Sequence, residues 1–412
     1  MKILSDRAAQ TRVRKITARR SQLDAVEASV RRIVNDIKLN GDTGLRKYAQ
    51  RWDGLDKEPF GVPEPDLKRA WTSAEPEFKS ALKQAAANIR QFCEWQKPKE
   101  WRRRSRGISL GQLVRPLESV GCYVPGGRHP LVSTLLMTVI PAQVAGVKKI
   151  RVVSPQPRPE VMAAAGMLGI NEFYRVGGAQ AIAALAYGTR SIPRVDKIIG
   201  PGNSYVTAAK KLVSFDCAID MLAGPTEVLI LSDNGHANFI AADLVAQAEH
   251  DPEALAVLVT TSVSLAREVV SITKAMSAKN PIAIRSLKAN CSVLIADSRD
   301  QAQDWANQMA PEHLTVDAKD LSYIQNAGSV FVGDYSPQAA GDYAAGPNHV
   351  LPTAGAARFR GGLSVLDFVK VITVQELSPR GLKHLAPVIE LLATREGLQA
   401  HADSIRIRSA HA

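Results

Sequence analysis

A chain of 412 residues with 45% apolar and 22% charged residues has the composition of an ordinary globular protein, which excludes the disordered and fibrous classes. At roughly 100–200 residues per domain, this length predicts two to four structural units with clefts between them. Four cysteines without a C-x-x-C pair exclude a disulfide framework and a thiolate zinc site, and they favour a reducing, cytoplasmic setting.

The formal net charge of +12 is concentrated in one part of the chain. Residues 1–110 carry 25 Lys and Arg against 14 Asp and Glu, whereas the remaining residues carry 27 against 26. The densest basic run, Lys97 to Arg106, includes Trp101 and has the charge and the aromatic ring that bind nucleic acid. Because no nucleic-acid fold signature accompanies it, we expect a solvated linker or an interface patch, and no nucleic acid as partner.

The longest uncharged stretch, from His129 to Val147, has the length of a membrane span. Pro130 and Pro141 interrupt it and several hydroxyl groups lie within it, so we expect a buried helix and no membrane partner. Residues 1–15 lack the apolar core of a secretory signal.

Residues 1–110 predict a helical N-terminal segment. Apolar residues recur at three- and four-residue steps over positions 23–37, which is the pattern of an amphipathic helix. Ser21 is placed to cap the start of this helix, and Gly41 lies just past its expected end. A second helix is predicted from about Pro76 to Gln96.

From about residue 115, short apolar runs alternate with Ala-rich helical patterns, which predicts an α/β protein with parallel sheets covered by helices. The pattern restarts, so we expect two Rossmann-like domains, 111–225 and 226–378, followed by a helical C-terminal segment, 379–412. In such folds, ligands bind beyond the carboxyl ends of the strands. The expected strands are Val120–Val124, Ile150–Ser154, Phe173–Val176, Lys197–Ile199, Glu227–Ser232, Leu255–Thr260, Ser292–Ala296 and Ser329–Val332.

Two short segments carry side chains suited to metal binding and proton transfer. Gln247 and His250 lie three residues apart on an expected helix, so an amide oxygen and an imidazole share one face and can bind one cation, with Glu249 as the nearest carboxylate. Glu312 and His313 precede an expected strand and are proton-transfer groups of different pKa. Spacing alone is also compatible with a plain helix terminus and an exposed dipeptide.

Two further segments lie near the C-terminus. The loop from Gly341 to Gly355 holds Asp342 and His349, and its many Gly and Pro residues fix one backbone path, which favours function. Glu396 and His401 lie five residues apart on an expected helix and so on different faces. Taken alone, this last helix reads as a solvated terminus.

Four glycine-rich turns, most of them after an expected strand, place backbone amides where they can face a pyrophosphate or a ribose. None is a complete G-x-G-x-x-G motif, so the spacing leaves a nucleotide site open. The turns are Pro125-Gly126-Gly127, Gly177-Gly178-Ala179-Gln180, Gly200-Pro201-Gly202-Asn203 and Gly224-Pro225-Thr226-Glu227.

Nine segments in chain order carry a family resemblance: VGCYVPGG, VGGAQAIAALAYGT, IGPGNSYV, AIDMLAGPTEV, QAEHDPEA, PEHL, GDYAAGPNHVLPT, GGLSVLDF and EGLQAH. Through them the chain resembles the histidinol dehydrogenase family from about residue 20 to residue 405. The number and the order of the motifs make the resemblance specific. It implies an intertwined homodimer in which the C-terminal segment reaches the active site of the partner.

The resemblance also implies residue roles, position by position. The catalytic pair of the family falls on Glu312 and His313, and Thr226 stands where Ser is more common. One zinc ion per subunit is implied, with the ligands Gln247, His250, Asp342 and His401. The positions that contact NAD are Tyr123, Gln180 and Asn203. Substrate contacts comprise Thr226, Gln247, His250, His313, Asp342, Glu396 and His401, and His349 lines the same pocket.

The implied reaction is the NAD-dependent four-electron oxidation of L-histidinol, through L-histidinaldehyde, to L-histidine in the last steps of histidine biosynthesis. His313 takes the hydroxyl proton, and Glu312 activates the water that hydrates the aldehyde. A paralogous zinc- and NAD-dependent dehydrogenase of another small alcohol, such as sulfopropanediol, is the alternative. The residues also leave open a metallohydrolase with Glu312 as base and a basic nucleic-acid-binding protein.

Overall fold

The computed structural model describes residues 1–19, 23–126 and 131–411. Ser21, Gly127, His129 and Pro130, which the sequence analysis singled out, lie outside these ranges. The strands form three sheets. They are β1 (Lys2–Leu4), β2 (Gly61–Val62), β3 (Trp101–Ser105), β4 (Ile108–Pro116), β5 (Ser119–Tyr123), β6 (Lys149–Val153), β7 (Glu172–Tyr174), β8 (Lys197–Ile199), β9 (Ala218–Ile219), β10 (Glu227–Leu231), β11 (Leu255–Thr260), β12 (Ser292–Ile295), β13 (His313–Val316), β14 (Ser329–Val332) and β15 (Val369–Leu377).

Helices cover the sheets and form the C-terminus. Shorter helical turns lie at Ala49–Asp53, Ser277–Lys279, Ala318–Tyr323, Ala356–Arg358 and Val365–Phe368. The α-helices are α1 (Asp6–Thr17), α2 (Asp24–Tyr48), α3 (Glu64–Ser73), α4 (Pro76–Gln96), α5 (Val132–Ala145), α6 (Pro159–Met167), α7 (Gly178–Tyr187), α8 (Ser204–Val213), α9 (Ala237–Ala248), α10 (Val263–Met276), α11 (Pro281–Ala289), α12 (Arg299–Met309), α13 (Gln338–Tyr343), α14 (Pro379–Arg395) and α15 (Gln399–Ala410).

The first sheet has the strand order β2-β7-β6-β5-β8-β9, in which only β2 runs antiparallel to its neighbour. Val120 and Cys122 of β5 pack with α4, α5 and α6 on one face, while Tyr123 packs with α2, α7 and α8 on the other. Burial on both faces explains why these strands read as continuous apolar runs. The strand order reverses between the central strands β5 and β8. In folds of this kind, ligands bind beyond the carboxyl ends of the strands at such a switch point.

The second sheet is entirely parallel, with the order β1-β12-β11-β10-β13-β14 and a switch point between β10 and β13. Apolar clusters cover both of its faces. All eight expected strands are present, with ends shifted by at most two residues. The prediction of an α/β protein with two parallel-rich sheets is therefore confirmed.

The third sheet, with the antiparallel order β15-β4-β3, was not predicted. All five residues of β3 are exposed, so the strand has no apolar alternation that a sequence pattern can detect. The basic run from Lys97 to Arg106 therefore contains a sheet strand, and the linker interpretation is wrong. Because β4 crosses the boundary between residues 110 and 111 and pairs with β15 over Val369–Leu377, the sheet joins three of the predicted segments, whose boundaries stay a prediction.

The N-terminal segment is less helical than expected. Strand β1 pairs in parallel with β12 at the edge of the second sheet, and three residues are too few to show a strand period. Helix α2 also continues beyond its expected end, because Gly41 (φ 52°, ψ −126°) forms a kink after which the helix resumes. The second predicted helix has the bounds of α4.

The uncharged run contains α5, whose residues from Thr134 to Ala142 are all buried in the core of the first sheet. Over the three described ranges, no helix combines the length and the apolarity that crossing a membrane requires. The run is therefore a buried helix, as the sequence predicted.

Candidate active site

Glu312 and His313 lie at the amino end of β13, at the switch point of the second sheet. His313 is in register with Val228 on β10 and with Ser329 on β14. Only 7% of Glu312 and 4% of His313 is exposed. The pair is therefore a buried carboxyl and imidazole between two strands, and the interpretation as an exposed dipeptide is wrong.

This position differs from the expected one, because the sequence analysis placed ligands at the carboxyl ends of the strands. In the second sheet those ends are occupied by an ion-pair cluster in which Arg299 binds Asp233 at 2.8 Å, Asp317 at 3.2 Å and also Asp320. The guanidinium and the three carboxylates satisfy one another and fill the carboxyl edge. The candidate catalytic pair lies at the opposite, amino edge.

The residues that precede β10 hold the Glu312 carboxylate. Its Oε2 accepts hydrogen bonds from Thr226 Oγ1 at 2.7 Å and from the Glu227 amide at 2.8 Å. The glycine-rich turn that contains both residues was expected to present backbone amides to a pyrophosphate or a ribose. It leads into β10, the strand expected from Glu227, and its donors bind a carboxylate of the same chain.

The Thr226 hydroxyl also connects Glu312 to a candidate metal ligand. The Gln247 side-chain nitrogen donates to Thr226 Oγ1 at 2.6 Å, and Gln247 is buried at the end of α9. Because this bond uses the amide nitrogen, the amide oxygen is the atom that Gln247 offers to a cation. One hydroxyl thus orients both a candidate base and a candidate ligand.

The His313 ring is fixed on three sides. Its Nδ1 lies 3.0 Å from the Glu227 carbonyl oxygen and 3.6 Å from Glu312 Oε2, and its Nε2 lies 3.3 Å from Asp342 Oδ1. The ring centroid lies 5.8 Å from that of Phe331. Because Nδ1–H donates to a backbone carbonyl, Nε2 is the nitrogen that faces Asp342 and the remaining space of the site.

Burial and neighbouring charges separate the pKa values of the pair. Burial raises the pKa of Glu312 to about 7. Burial alone lowers the pKa of His313, but the Glu312 charge and the hydrogen bond to Asp342 outweigh it and raise this pKa to about 9. For Asp342, burial alone raises the pKa, but the hydrogen bond from His313 and the electrostatic effect of the nearby histidines together outweigh it, so the pKa is lowered. The two proton-transfer groups expected from the sequence are therefore in contact.

Of the other zinc ligands that the resemblance implies, His250 and Asp342 lie close enough to interact with each other. His250 follows α9 and is exposed, and its charge contributes to the lowered pKa of Asp342. Glu249, the carboxylate suggested by spacing, is instead turned towards α11, where its Oε2 accepts from Asn280 Nδ2 at 3.1 Å. Asp342 is thus the carboxylate beside the imidazoles, and the expectation for Glu249 is wrong.

His349 contacts the backbone of Asp342. Its Nδ1 lies 2.8 Å from the Asp342 carbonyl oxygen, and its Nε2 lies 3.3 Å from Thr134 Oγ1 on α5. Burial lowers the pKa of His349, which keeps the imidazole neutral. The sequence analysis missed Thr134 because a threonine within an apolar helix carries no local signal.

Glu396 and His401 lie on the C-terminal helices, at the end of α14 and at the start of α15, and both are exposed. Within the part of the chain that the structure describes, no hydrogen bond or ion pair joins either residue to Glu312 or His313. The described residues likewise hold no group of three or more His, Cys, Asp or Glu that could bind a metal. The ligand set implied by the resemblance is therefore not found as one group within the described residues.

The positions implied for NAD lie at the carboxyl edge of the first sheet, as expected. Tyr123 ends β5, and its Oη accepts from the Gly178 amide at 3.0 Å. Asn203 caps α8 through bonds of 3.1 Å to the amides of Tyr205 and Val206. Tyr123 and Asn203 thus lie on the two sides of the switch point.

Gln180 lies in the first turn of α7 at the same edge and is buried. Its Nε2 donates to Asp53 Oδ2 at 3.0 Å, and burial raises the pKa of Asp53. Asp53 is a residue that the sequence analysis missed, since it lies far from any motif. Its carboxylate fixes which side of the Gln180 amide faces outward.

Comparison of the chain with known proteins assigns it to a family. Residues 16–409 match the family described as histidinol dehydrogenase. The chain belongs to the histidinol dehydrogenase family. It is 45% identical to the histidinol dehydrogenase of Methanosarcina barkeri over 99% of this chain and 97% of that protein. It is 47% identical to that of Methanothermobacter thermautotrophicus, over 94% of this chain and 95% of that protein.

A solved structure of the family has the same fold. The crystal structure of histidinol dehydrogenase from Elizabethkingia anophelis superimposes with a TM-score of 0.94 at 34% identity, covering 99% of this chain and 98% of that one. The resemblance predicted from the motifs is therefore confirmed. The chain is an oxidoreductase with histidinol dehydrogenase activity in histidine biosynthesis.

Proposed function

We propose that this enzyme oxidises L-histidinol to L-histidine in two steps at one site, with L-histidinaldehyde retained between them. The observation that carries this proposal is the buried Glu312–His313 pair, with His313 Nε2 3.3 Å from Asp342 Oδ1. An imidazole and a carboxyl with separate hydrogen-bond partners supply the two bases that an alcohol oxidation followed by an aldehyde hydration requires. Their burial also limits escape of the aldehyde to water.

In the first step, the neutral form of His313 takes the hydroxyl proton of the alcohol at Nε2, while Nδ1–H remains bound to the Glu227 carbonyl. Because the pKa of His313 is raised to about 9, the fraction of this form increases as the pH rises towards that value. In the second, Glu312 removes a proton from the water that adds to the aldehyde, and His313 takes the hydroxyl proton of the hydrate. Thr226 and the Glu227 amide hold the Glu312 carboxylate throughout. NAD, when bound, would supply the hydride acceptor in each of the two oxidations, so that two NAD are consumed per substrate, and zinc, when bound, would supply the charge that polarises and orients the alcohol.

The residues of the site fit both groups. Gln247 offers its amide oxygen, and with Asp342 and the imidazole of His250 it makes a mixed oxygen and nitrogen donor set that suits zinc. Tyr123 and Asn203 border the switch point of the first sheet, where dinucleotides bind in such folds. We assign NAD to Tyr123, Gln180 and Asn203, and substrate to Thr226, Gln247, His250, His313, Asp342, Glu396 and His401.

We further propose a homodimer in which the partner supplies His401 as the fourth zinc ligand and Glu396 as a substrate contact. The incomplete donor set of one chain supports this assembly, as do the exposed positions of both residues. A second copy would also cover apolar side chains that the C-terminal part leaves in water. These are Val371, Ile372, Leu377, Val388, Leu391, Leu392, Leu398 and Ile407.

We place the enzyme in the cytoplasm. The four cysteines are free and buried, which fits a reducing compartment. Burial raises the pKa of Cys93 to about 11 and that of Cys122 and Cys217 to about 12, so these thiols are neutral at physiological pH.

The oxidation state of the product tests the proposed reaction. Purified enzyme incubated with limiting L-histidinol and excess NAD is expected to form two NADH per substrate, because both oxidations occur before release. L-histidine measured by chromatography supplies the matching product count. A single NADH per substrate with free aldehyde, or turnover of sulfopropanediol but not of L-histidinol, would contradict the proposal.

Replacing Thr226 tests the bridge between Glu312 and Gln247. We expect Thr226→Val to lower kcat by about ten- to hundredfold, because it removes a hydrogen bond to a buried carboxylate, whereas Thr226→Ser stays within about twofold. Steady-state kinetics of NADH formation measure both variants. Equal rates for the two variants would show that the hydroxyl has no role.

A further inference from the structure

A buried ion pair lies beneath the cofactor edge of the first sheet. Lys210 of α8 pairs with Asp220, which follows β9, and their side chains are 3% and 0% exposed. Removing two charges from water is costly, and a buried pair is therefore weak evidence for a role in stability alone. The atoms that the pair binds indicate a different role.

Both ends of the pair hold the turn that carries Asn203. Lys210 Nζ donates to the Gly200 carbonyl oxygen at 2.9 Å, and the Gly200 amide donates to Asp220 Oδ2 at 2.7 Å. Gly200 has φ +114°, and a side chain there would collide with the Tyr123 carbonyl oxygen. The Lys210–Asp220 pair therefore holds the Gly200–Asn203 turn in contact with the end of β5, which fixes the distance between Tyr123 and Asn203.

The same pair fixes the start of the segment that leads to the catalytic residues. Asp220 Oδ1 also accepts from the Met221 amide at 2.5 Å, and the Asp220 carbonyl accepts from Arg360. Six residues after Asp220, the segment ends at Thr226, whose hydroxyl binds Glu312.

Two more bonds hold this segment between the sheets. Thr207 Oγ1, on the same helix as Lys210, donates to the Ala223 carbonyl at 3.2 Å. The Gly224 amide donates to Thr353 Oγ1 at 2.5 Å, in the loop that follows α13, the helix that carries Asp342. The path from Lys210 to Thr226 is therefore continuous and anchored along its length.

We propose that Lys210 and Asp220 are positioning residues, which hold the Gly200–Asn203 turn in register with the bond between Thr226 and Glu312. The inference rests on the proposed function, in which Tyr123 and Asn203 contact NAD and Glu312 serves the substrate. Neither member of the pair touches substrate or cofactor. Their effect is to keep the cofactor at the distance from the substrate that hydride transfer requires.

Two double variants separate the hydrogen bonds from the charges. K210M/D220N removes the charges and the donor to the Gly200 carbonyl but keeps an acceptor for the Gly200 amide. K210Q/D220N also removes the charges but keeps an N–H donor. We expect the first to raise KM for NAD about tenfold with KM for L-histidinol within about twofold, and the second to restore KM for NAD to within about threefold of wild type.

An ion pair between two strands of the first sheet is the control for general destabilisation. The buried Arg151 of β6 binds the half-buried Glu172 of β7 at 2.7 Å, and among the described residues no bond joins Arg151 to the Gly200–Asn203 turn. R151M is expected to lower the midpoint of thermal unfolding, followed by circular dichroism, without changing KM for NAD. An equal rise of KM in R151M and K210M/D220N would overturn the proposal, as would an unchanged KM in folded K210M/D220N.

The variant N203A separates a failure of this inference from a failure of the proposed function. If N203A raises KM for NAD and K210M/D220N does not, only the positioning role is wrong. If N203A itself leaves KM for NAD unchanged, the cofactor assignment is wrong and the inference falls with it. A rise in both, with recovery in K210Q/D220N, supports the inference.

Discussion

Replacing His313 by Asn is expected to lower kcat for L-histidinol by about a thousandfold, which lies within the usual range for loss of a general base. The Asn amide can still donate to the Glu227 carbonyl in place of Nδ1–H, so the local backbone keeps its hydrogen bond. The substitution removes Nε2, the nitrogen that faces Asp342. The lost activity therefore reports proton transfer rather than collapse of the site.

Replacing Glu312 by Gln separates the two half-reactions. The Gln oxygen still accepts from Thr226 and from the Glu227 amide, but the group no longer takes a proton from water. We expect the oxidation of L-histidinaldehyde to slow by about a hundredfold or more, with a smaller loss for the alcohol step.

Single-turnover NADH formation, started from the alcohol and separately from the aldehyde, measures each step. In H313N both steps are expected to slow, whereas in E312Q the aldehyde step is the one most affected. If E312Q oxidises the aldehyde at the wild-type rate, Glu312 does not activate water. Zinc content measured on the same samples controls for loss of the metal.

Two inactive variants are expected to restore activity when their subunits are mixed. H313N carries a defective catalytic pair and an intact C-terminus, whereas H401A carries the opposite defects. If His401 acts in the partner subunit, each mixed dimer contains one site in which every residue is intact. A mixture of equal amounts, reassembled from separated subunits, is then expected to reach about a quarter of the wild-type activity.

The zinc content makes this experiment more specific. H401A alone is expected to bind less zinc and to lose nearly all activity, because a first-row metal site loses one of its four protein ligands. A chain truncated after Arg395 is expected to behave in the same way. The matched control is H411A, which alters an exposed histidine at the end of the same helix.

The mixing result has two contrary outcomes. If the mixture of H313N and H401A stays inactive although mixed dimers are detected by native mass spectrometry, His401 acts within its own chain. If H401A alone keeps its zinc and its activity, the residue is no ligand in either chain.

Much of the fold was predictable because its signals are local. The eight expected strands of the two parallel-rich sheets are short apolar runs, and the central ones are buried on both faces, as Val120 and Tyr123 illustrate, so composition marks them. The third sheet was not predictable, since the residues of β3 are all exposed and β4, its neighbour, pairs on the other side with β15, which lies more than 250 positions further along the chain. Pairing between strands so far apart in the sequence produces no local residue pattern from which it can be predicted.

The candidate site likewise contains residues that the sequence could predict and residues that it could not. Glu312 and His313 are neighbours in sequence and are buried together in the structure, but the dipeptide alone also allowed an exposed position, and their implied role came from the family resemblance. Spacing suggested Glu249 as a ligand. The direction of a side chain at a helix end is not set by helical spacing, and the Glu249 carboxylate binds Asn280 instead. The supporting residues Thr134 and Asp53 act through single long-range hydrogen bonds, which only the folded chain reveals.

The pairing of β15 with β4 has a consequence for how the enzyme loses activity on heating. The helices that carry Glu396 and His401 begin directly after β15, which is joined along nine residue positions to a strand that leads straight into the first sheet. Such a tail does not fray independently of the body that anchors it. We therefore expect inactivation to follow global melting, without an earlier phase in which the subunits of the proposed dimer stay folded but lose the C-terminal contribution to their sites.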